Sequence, residues 1–221
     1  MMQRHKVVVF DLDDTLYKEI DFLKSAFREI ADYLSNQSGI HGLWPEMVQY
    51  FEEKKDVFQE VIDLYELTVE KQFLIEMYRK HIPEIQLDDD TIVVLEALKA
   101  NPDISIGLIT DGRLLSQMNT IKALGLDNYI EEDNIIISGA WGHQKPDEFL
   151  FSLIEKRYPD CEYMYVGDNP EKDFIAPNLH GWETVCLFDD GRNIHKQNFS
   201  IPADNLPQYT INDIKELLDL I

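Results

Sequence analysis

The chain has 221 residues, long enough for one good core and a smaller appended unit if domains run to roughly 100 to 200 residues. Hydrophobic residues at 44% and aromatics at 11% are ordinary for a folded globular chain, which excludes wholesale disorder. Forty-two acidic residues against twenty basic ones leave a net charge of −22, a field that repels nucleic-acid polymers and anionic membrane surfaces. A small phosphorylated partner would therefore need local rescue by a metal, a lysine or helix amides. No run approaches the roughly 18 to 20 apolar residues of a membrane span. Residues 1–6 lead into the first strand without a secretion signal. Cys161 and Cys186 lack metal-type spacing and are expected as free thiols of a reducing cytoplasm.

Along the chain, Val7, Val8, Val9 and Phe10 run straight into Asp11, Asp13 and Asp14, which reads as a buried strand delivering carboxylates at its tip. Side chains alternate with period two along a strand, so Asp11 and Asp13 would share a face if it continued. Two such carboxylates repel. The pattern implies either a divalent metal between them or one acid kept protonated. From Tyr17 to about Leu87 the periodicity is helical: Leu23, Phe27, Ile30 and Leu34 form one stripe, Val57, Phe58, Val61, Ile62 and Tyr65 a second, and Val69, Phe73, Leu74 and Met77 a third. Gly39, Gly42 and Pro45 punctuate the first two helices and Pro83 closes the third, giving a compact helical insertion of three or four helices.

Beyond it, helices and strands alternate in the manner of a parallel sheet with crossover helices. A helix is expected from 88–90 to 99, a strand over 104–109 ending in Thr110, Asp111 and Gly112, and a helix over 113–124 closed by Gly125. A short strand follows at 134–137, then Lys145 in a loop and a helix beginning at Pro146. A strand over 163–166 ends at Gly167, Asp168 and Asn169, with Asp173 within the first turn or so of the next helix. A fifth strand is read over 184–188 and a terminal helix over 211–221.

Four strand ends or following loops thus carry a candidate chemical group: Asp11 and Asp13, Thr110, Lys145, and Asp168 with Asp173. In a parallel sheet all the C-terminal strand ends lie on one edge, where these groups can converge. Taken singly, Thr110 could merely close a strand, Lys145 could be a surface lysine, and Asp168 and Asp173 could serve a helix N-terminus. Their joint placement is what carries the signal. Asp14 is an extra acid suited to a turn, and Arg113 and His143 beside the motifs read as solvated loop residues, with contact to substrate as the alternative.

With DLDDT, LITDG, the lysine of KPD and GDNPEKD in this order, the chain resembles the haloacid dehalogenase-like (HAD) hydrolase superfamily. The resemblance implies an α/β fold with a doubly wound, mainly parallel, Rossmann-like core on residues 1–16 and 88–221. It also implies a small all-helical cap domain, residues 17–87, inserted after the first strand. It makes Asp11 the nucleophile toward a phosphate monoester and Asp13 the general acid and base. Thr110 and the backbone amide of Asp111 would hold the phosphoryl group, with Lys145 neutralising it. Mg2+ would be held by Asp11, the carbonyl of Asp13 and Asp168, with Asp173 orienting its shell. An acid two residues after the nucleophile favours phosphoryl transfer over halide release, which needs no proton. The implied enzyme is a magnesium-dependent phosphatase acting on a small phosphorylated metabolite. A phosphomutase of the beta-phosphoglucomutase type and a receiver-like module switched by phosphorylation are the alternatives. Tyr17 and Lys18 are candidates to face the leaving group, and the oligomeric state is not legible.

Overall fold

The computed structural model describes residues 5–221, so residues 1–4 of the N-terminal segment read above lie outside the described residues. Six strands form one parallel sheet: β1 (Lys6–Phe10), β2 (Ile104–Thr110), β3 (Ile135–Ile137), β4 (Glu162–Gly167), β5 (Glu183–Leu187) and β6 (Tyr209–Ile211). Their order across the sheet is β3-β2-β1-β4-β5-β6, which sets β1 between β2 and β4 at the centre. Both faces of β1 are covered, and its alternating side chains feed two separate cores. Val8 and Phe10 pack with Leu108, Met164 and Val166 under α5 (Asp89–Ala100) and α6 (Leu114–Ala123). Val7 and Val9 pack with Ile109, Tyr165 and Cys186 under α8 (Glu148–Arg157) and α9 (Ile175–Leu179). The sheet is thus a doubly wound α/β core with helices on both sides.

Between β1 and α5 the chain forms four helices, α1 (Glu19–Ser38), α2 (Leu43–Glu52), α3 (Val57–Leu64) and α4 (Lys71–Lys80). Their apolar stripes meet in a third core built on Leu23, Phe27, Ile30, Leu34, Met47, Val61 and Leu74. The long helix α1 ends where Gly39 takes a left-handed backbone, φ +75°, and its N–H donates to the Ser35 carbonyl at 2.8 Å. Pro45 lies inside the first turn of α2, where a missing N–H costs nothing. Among the described residues no helix is long and apolar enough to cross a membrane. Cys161 and Cys186 are both free, the latter buried in β5.

Four local expectations are corrected. Pro146 does not begin a helix, because Asp147 caps α8 by accepting from the Phe149 N–H at 2.9 Å. Asp173 precedes α9 by two residues. A sixth strand, β6, was absent from the reading: at three residues it carries no period, and Ile211 is held in the sheet by pairing with Leu187. The terminal segment is a 3-10 helix, Ile214–Asp219, rather than a longer helix from 211. Its start is set by Asp213, whose side chain accepts from Lys215 N while Glu216 accepts from the Asp213 N–H.

Candidate active site

β1, β2 and β4 end side by side, and the loop after α7 (Ser138–Trp141) brings Lys145 to the same rim. Lys145 Nζ lies 2.7 Å from Asp11 Oδ1 and 2.7 Å from Asp173 Oδ1, and donates to the Tyr165 hydroxyl at 3.1 Å. Its side chain is wholly buried. Burial pulls a lysine's pKa down, but here Asp11 and Asp173 outweigh it and hold the ammonium well above its ordinary value. A charge at this depth persists only because it is paired on two sides. Tyr165 passes its own proton on to the Ile109 carbonyl at 3.1 Å, fixing the inner end of the network.

Asp11, Asp168 and Asp173 each offer an oxygen within 4.8 Å of the others, and all three are buried. Asp173 is already committed: Oδ1 faces Lys145, and Oδ2 accepts from the N–H groups of Asp168 at 3.2 Å and Asn169 at 2.8 Å. Its approach is so close that a Cβ on Gly167 would meet Asp173 Oδ2 at 2.6 Å, so β4 must end in glycine there. Asp168 Oδ2 accepts from Asn193 Nδ2 at 2.9 Å, while Asp11 Oδ2 and Asp168 Oδ1 have no hydrogen-bond partner in the protein among the described residues. Burial pushes the Asp11 carboxyl up to about 7, with Lys145 opposing and Asp173 adding to the rise. Burial likewise pushes Asp168 up to about 8, reinforced by Asp173 and Asp11. Three buried carboxylates against one lysine are short of positive charge, and their hard oxygens are the donor set a small divalent cation takes.

Asp13 sits half-buried beyond Asp11. Its Oδ1 accepts from the Tyr17 hydroxyl at 2.6 Å and its Oδ2 from Gln117 Nε2 at 2.8 Å. Burial raises its carboxyl above the ordinary range, with the Tyr17 and Gln117 hydrogen bonds pulling the other way. Asp14 is committed to the backbone: Oδ1 accepts from Glu19 N at 3.0 Å and Oδ2 from Ile194 N at 3.1 Å, pinning the loop after β5 to the start of α1.

Thr110 is fully buried at the end of β2, and its hydroxyl donates to the Asp111 carbonyl at 3.4 Å. Asp111 Oδ1 accepts from the Lys145 N–H at 3.1 Å, and its Oδ2 is 3.7 Å from Lys172 Nζ. A cavity of about 120 Å³ opens above these groups, lined by Asp11, Asp13, Asp111, Asp168, Lys172 and Glu19 among others. Arg113 is exposed, and His143 is turned to Asp147 at 2.6 Å and stacked on Phe149, away from the cavity. Lys18 points to Asn193 and Asp190 rather than into it.

Several contributors went unread in the sequence. Gln117 lies five residues past the second motif on α6, where its spacing looks like any helical polar residue. Tyr165 reads as a strand aromatic. Asn193 and Gln197 lie in a loop without period, although Gln197 Nε2 donates to the Asp168 carbonyl at 2.7 Å. Only Lys172 had a signal, being inside GDNPEKD itself.

A family model described as haloacid dehalogenase-like hydrolase matches residues 8–186. The glyceraldehyde 3-phosphate phosphatase of Methanocaldococcus jannaschii is 26% identical over 230 residues, covering 98% of this chain and 96% of the relative. A protein of the same name from Methanopyrus kandleri is 27% identical over 237 residues, covering 98% and 97%. The fold is similar to that of the HAD-hydrolase YfnB of Bacillus subtilis, solved bound to magnesium, with a TM-score of 0.70, 20% identity and 99% of each chain covered. With its motifs, its parallel sheet and this match over most of its length, the chain belongs to the haloacid dehalogenase-like hydrolases.

Proposed function

We propose that this hydrolase is a magnesium-dependent phosphatase that removes phosphate from a small phosphomonoester through an aspartyl phosphate on Asp11. The observation that carries the reading is the grip of Lys145 on Asp11 and Asp173 at 2.7 Å each, with Asp168 beside them. That arrangement fixes one carboxylate as an oriented nucleophile and leaves Asp11 Oδ2 free to attack. Asp11 and Asp168 would hold the ion, Asp168 through its unpartnered Oδ1, and Asp173 would act through Lys145 and the backbone amides it accepts from. The ion, when bound, would screen the shared negative charge of nucleophile and phosphate.

The chain's own groups account for the remaining steps. Asp11 attacks phosphorus as the ester oxygen leaves, and that oxygen takes a proton from Asp13. Asp13 then receives a proton from the water that attacks the acyl phosphate, releasing inorganic phosphate and restoring Asp11. A raised carboxyl that must first give and then take a proton suits this double duty. Lys145 and Lys172 are the cations near the transferring group, Lys145 from behind the nucleophile and Lys172 from the cavity wall.

The names of two relatives put glyceraldehyde 3-phosphate among the first substrates to test. The cavity, near 120 Å³, supports a short substrate, and the names of these relatives favour hydrolysis over the mutase alternative. The receiver-like alternative has no support from the hydrolase family match. Release of phosphate from glyceraldehyde 3-phosphate and a panel of phosphomonoesters, with and without Mg2+, tests the reading. Asp11→Asn should abolish it; undiminished turnover by that variant refutes the assignment.

A further inference from the structure

One acid facing the reaction cavity has no side-chain partner among the described residues. Glu19, the first residue of α1, lines the cavity together with Asp11, Asp13, Asn169, Lys172 and His195. Its backbone N–H donates to Asp14 Oδ1 at 3.0 Å, which fixes where the helix begins. Its carboxylate takes part in no hydrogen bond or ion pair among the described residues, although the residue is only partly exposed. A helix N-terminus favours an acid in its first turn, but solvent would serve that purpose equally well. An acid turned instead into a confined cavity beside five other acids bears a desolvation cost that a hydrogen-bonding ligand would lower.

We propose that Glu19 selects the leaving group by accepting a hydrogen bond from a hydroxyl of a short, hydroxylated phosphomonoester, an inference that rests on the phosphatase reading. Two features set the class. Among the described residues no apolar side chain lines the cavity, so an alkyl or aromatic leaving group has no matching surface to bury against. The volume of about 120 Å³ is below the roughly 300 to 1,000 Å³ of ordinary ligand clefts, which limits the leaving group to a few heavy atoms. An ammonium is the competing partner, because five further acids line the same cavity beside Lys172, and the test includes it. A site built to bond a hydroxyl rejects an analogue lacking it, because the polar group is then left buried and unpaired.

The test compares sn-glycerol 3-phosphate with n-propyl phosphate, which keeps the three-carbon chain and loses the hydroxyls, and adds O-phosphoethanolamine as the ammonium arm. Wild-type enzyme with saturating Mg2+ should favour glycerol phosphate over propyl phosphate by at least about tenfold in kcat/KM. Glu19→Ala should shrink that ratio at least about tenfold, mainly through KM for glycerol phosphate. The isosteric Glu19→Gln, which can still accept, should keep part of it and guards against a folding defect. A ratio that neither variant changes overturns the inference while leaving the phosphatase intact. So does a wild-type preference for O-phosphoethanolamine that both variants abolish. Wild-type enzyme that hydrolyses no phosphomonoester overturns the phosphatase reading, and this inference with it.

Discussion

Gln117 Nε2 donates to Asp13 Oδ2 at 2.8 Å and to the Asp111 carbonyl at 2.8 Å, so the helix after the second strand positions the acid that follows the first. The hydrogen bond favours the charged form of Asp13 and works against the rise that burial imposes. Gln117→Ala should therefore lower kcat by about tenfold with a smaller change in KM, the loss of one oriented hydrogen bond to a reacting group. It should also move the Asp13 limb of the pH–rate profile upward. A profile that stays in place while only thermal stability falls would make Gln117 a packing residue.

Lys145→Met should be far more damaging. The substitution keeps most of the side-chain volume but leaves Asp11 and Asp173 facing each other without their shared cation. Breaking a buried pair on one side costs about 3 to 5 kcal/mol, and this lysine is paired on two. Chemical denaturation without metal should show a loss of that order, and phosphatase turnover should vanish. Because the stranded charges attract a cation more strongly, Mg2+ should recover more stability in the variant than in the wild type. Equal midpoints for the two proteins in metal-free buffer would contradict the burial and charge described here.

The same crowding predicts a pH dependence with a definite sign. Asp11 is held up to about 7 and Asp168 up to about 8, both above their value in an unfolded chain. The folded state thus keeps protons that the unfolded chain releases above roughly pH 4. Stability of the metal-free protein should fall as pH rises from roughly 4, and that loss should be complete once pH passes about 7 to 8. Bound Mg2+ favours the charged carboxylates, so its affinity should rise over the same window and its binding should release protons. Calorimetry in buffers of different ionisation enthalpy reads that release near pH 7. No proton release, or a metal-free protein that gains stability up to pH 8, would be the contrary result.

The legible part of this molecule was what strand ends announce. Asp11 and Asp168 stand where strand-to-loop transitions deliver them, with Lys145 on the loop after α7, and an apolar run closed by an acid is visible in one dimension. Helices α1, α3 and α4 were equally visible, because their stripes repeat at helical spacing, whereas α2 showed no stripe and left the count at three or four. What stayed hidden depends on register between distant elements. Nothing in the local pattern around Tyr165 says that its hydroxyl will meet Lys145, or that Asn193 will reach Asp168 across the loop after β5. Glu19 was hidden for a different reason, since a helix-starting acid is common and only the cavity makes this one unusual. β6 was missed because three residues are too few to show alternation.

We propose that residues 17–87 form a unit with its own cooperativity, and Leu74 provides the means to test it. Leu74 is fully enclosed in the core shared by α1 to α4, apart from the two cores that flank the sheet. Leu74→Ala should cost that core about 2 to 5 kcal/mol, the transfer of the lost methylenes plus the cavity left behind. If the helical unit opens by itself, native-state hydrogen exchange will show amides of α1 to α4 losing protection while those of β1, β2 and β4 keep theirs. The variant should then bind substrate less tightly with its nucleophile site intact, raising KM more than it lowers kcat, because Tyr17, which donates to Asp13, and Glu19, which lines the cavity, stand at the start of this unit. Protection lost equally across sheet and helices would instead mean one cooperative structure, and the proposed division at residues 17 and 88 would fail.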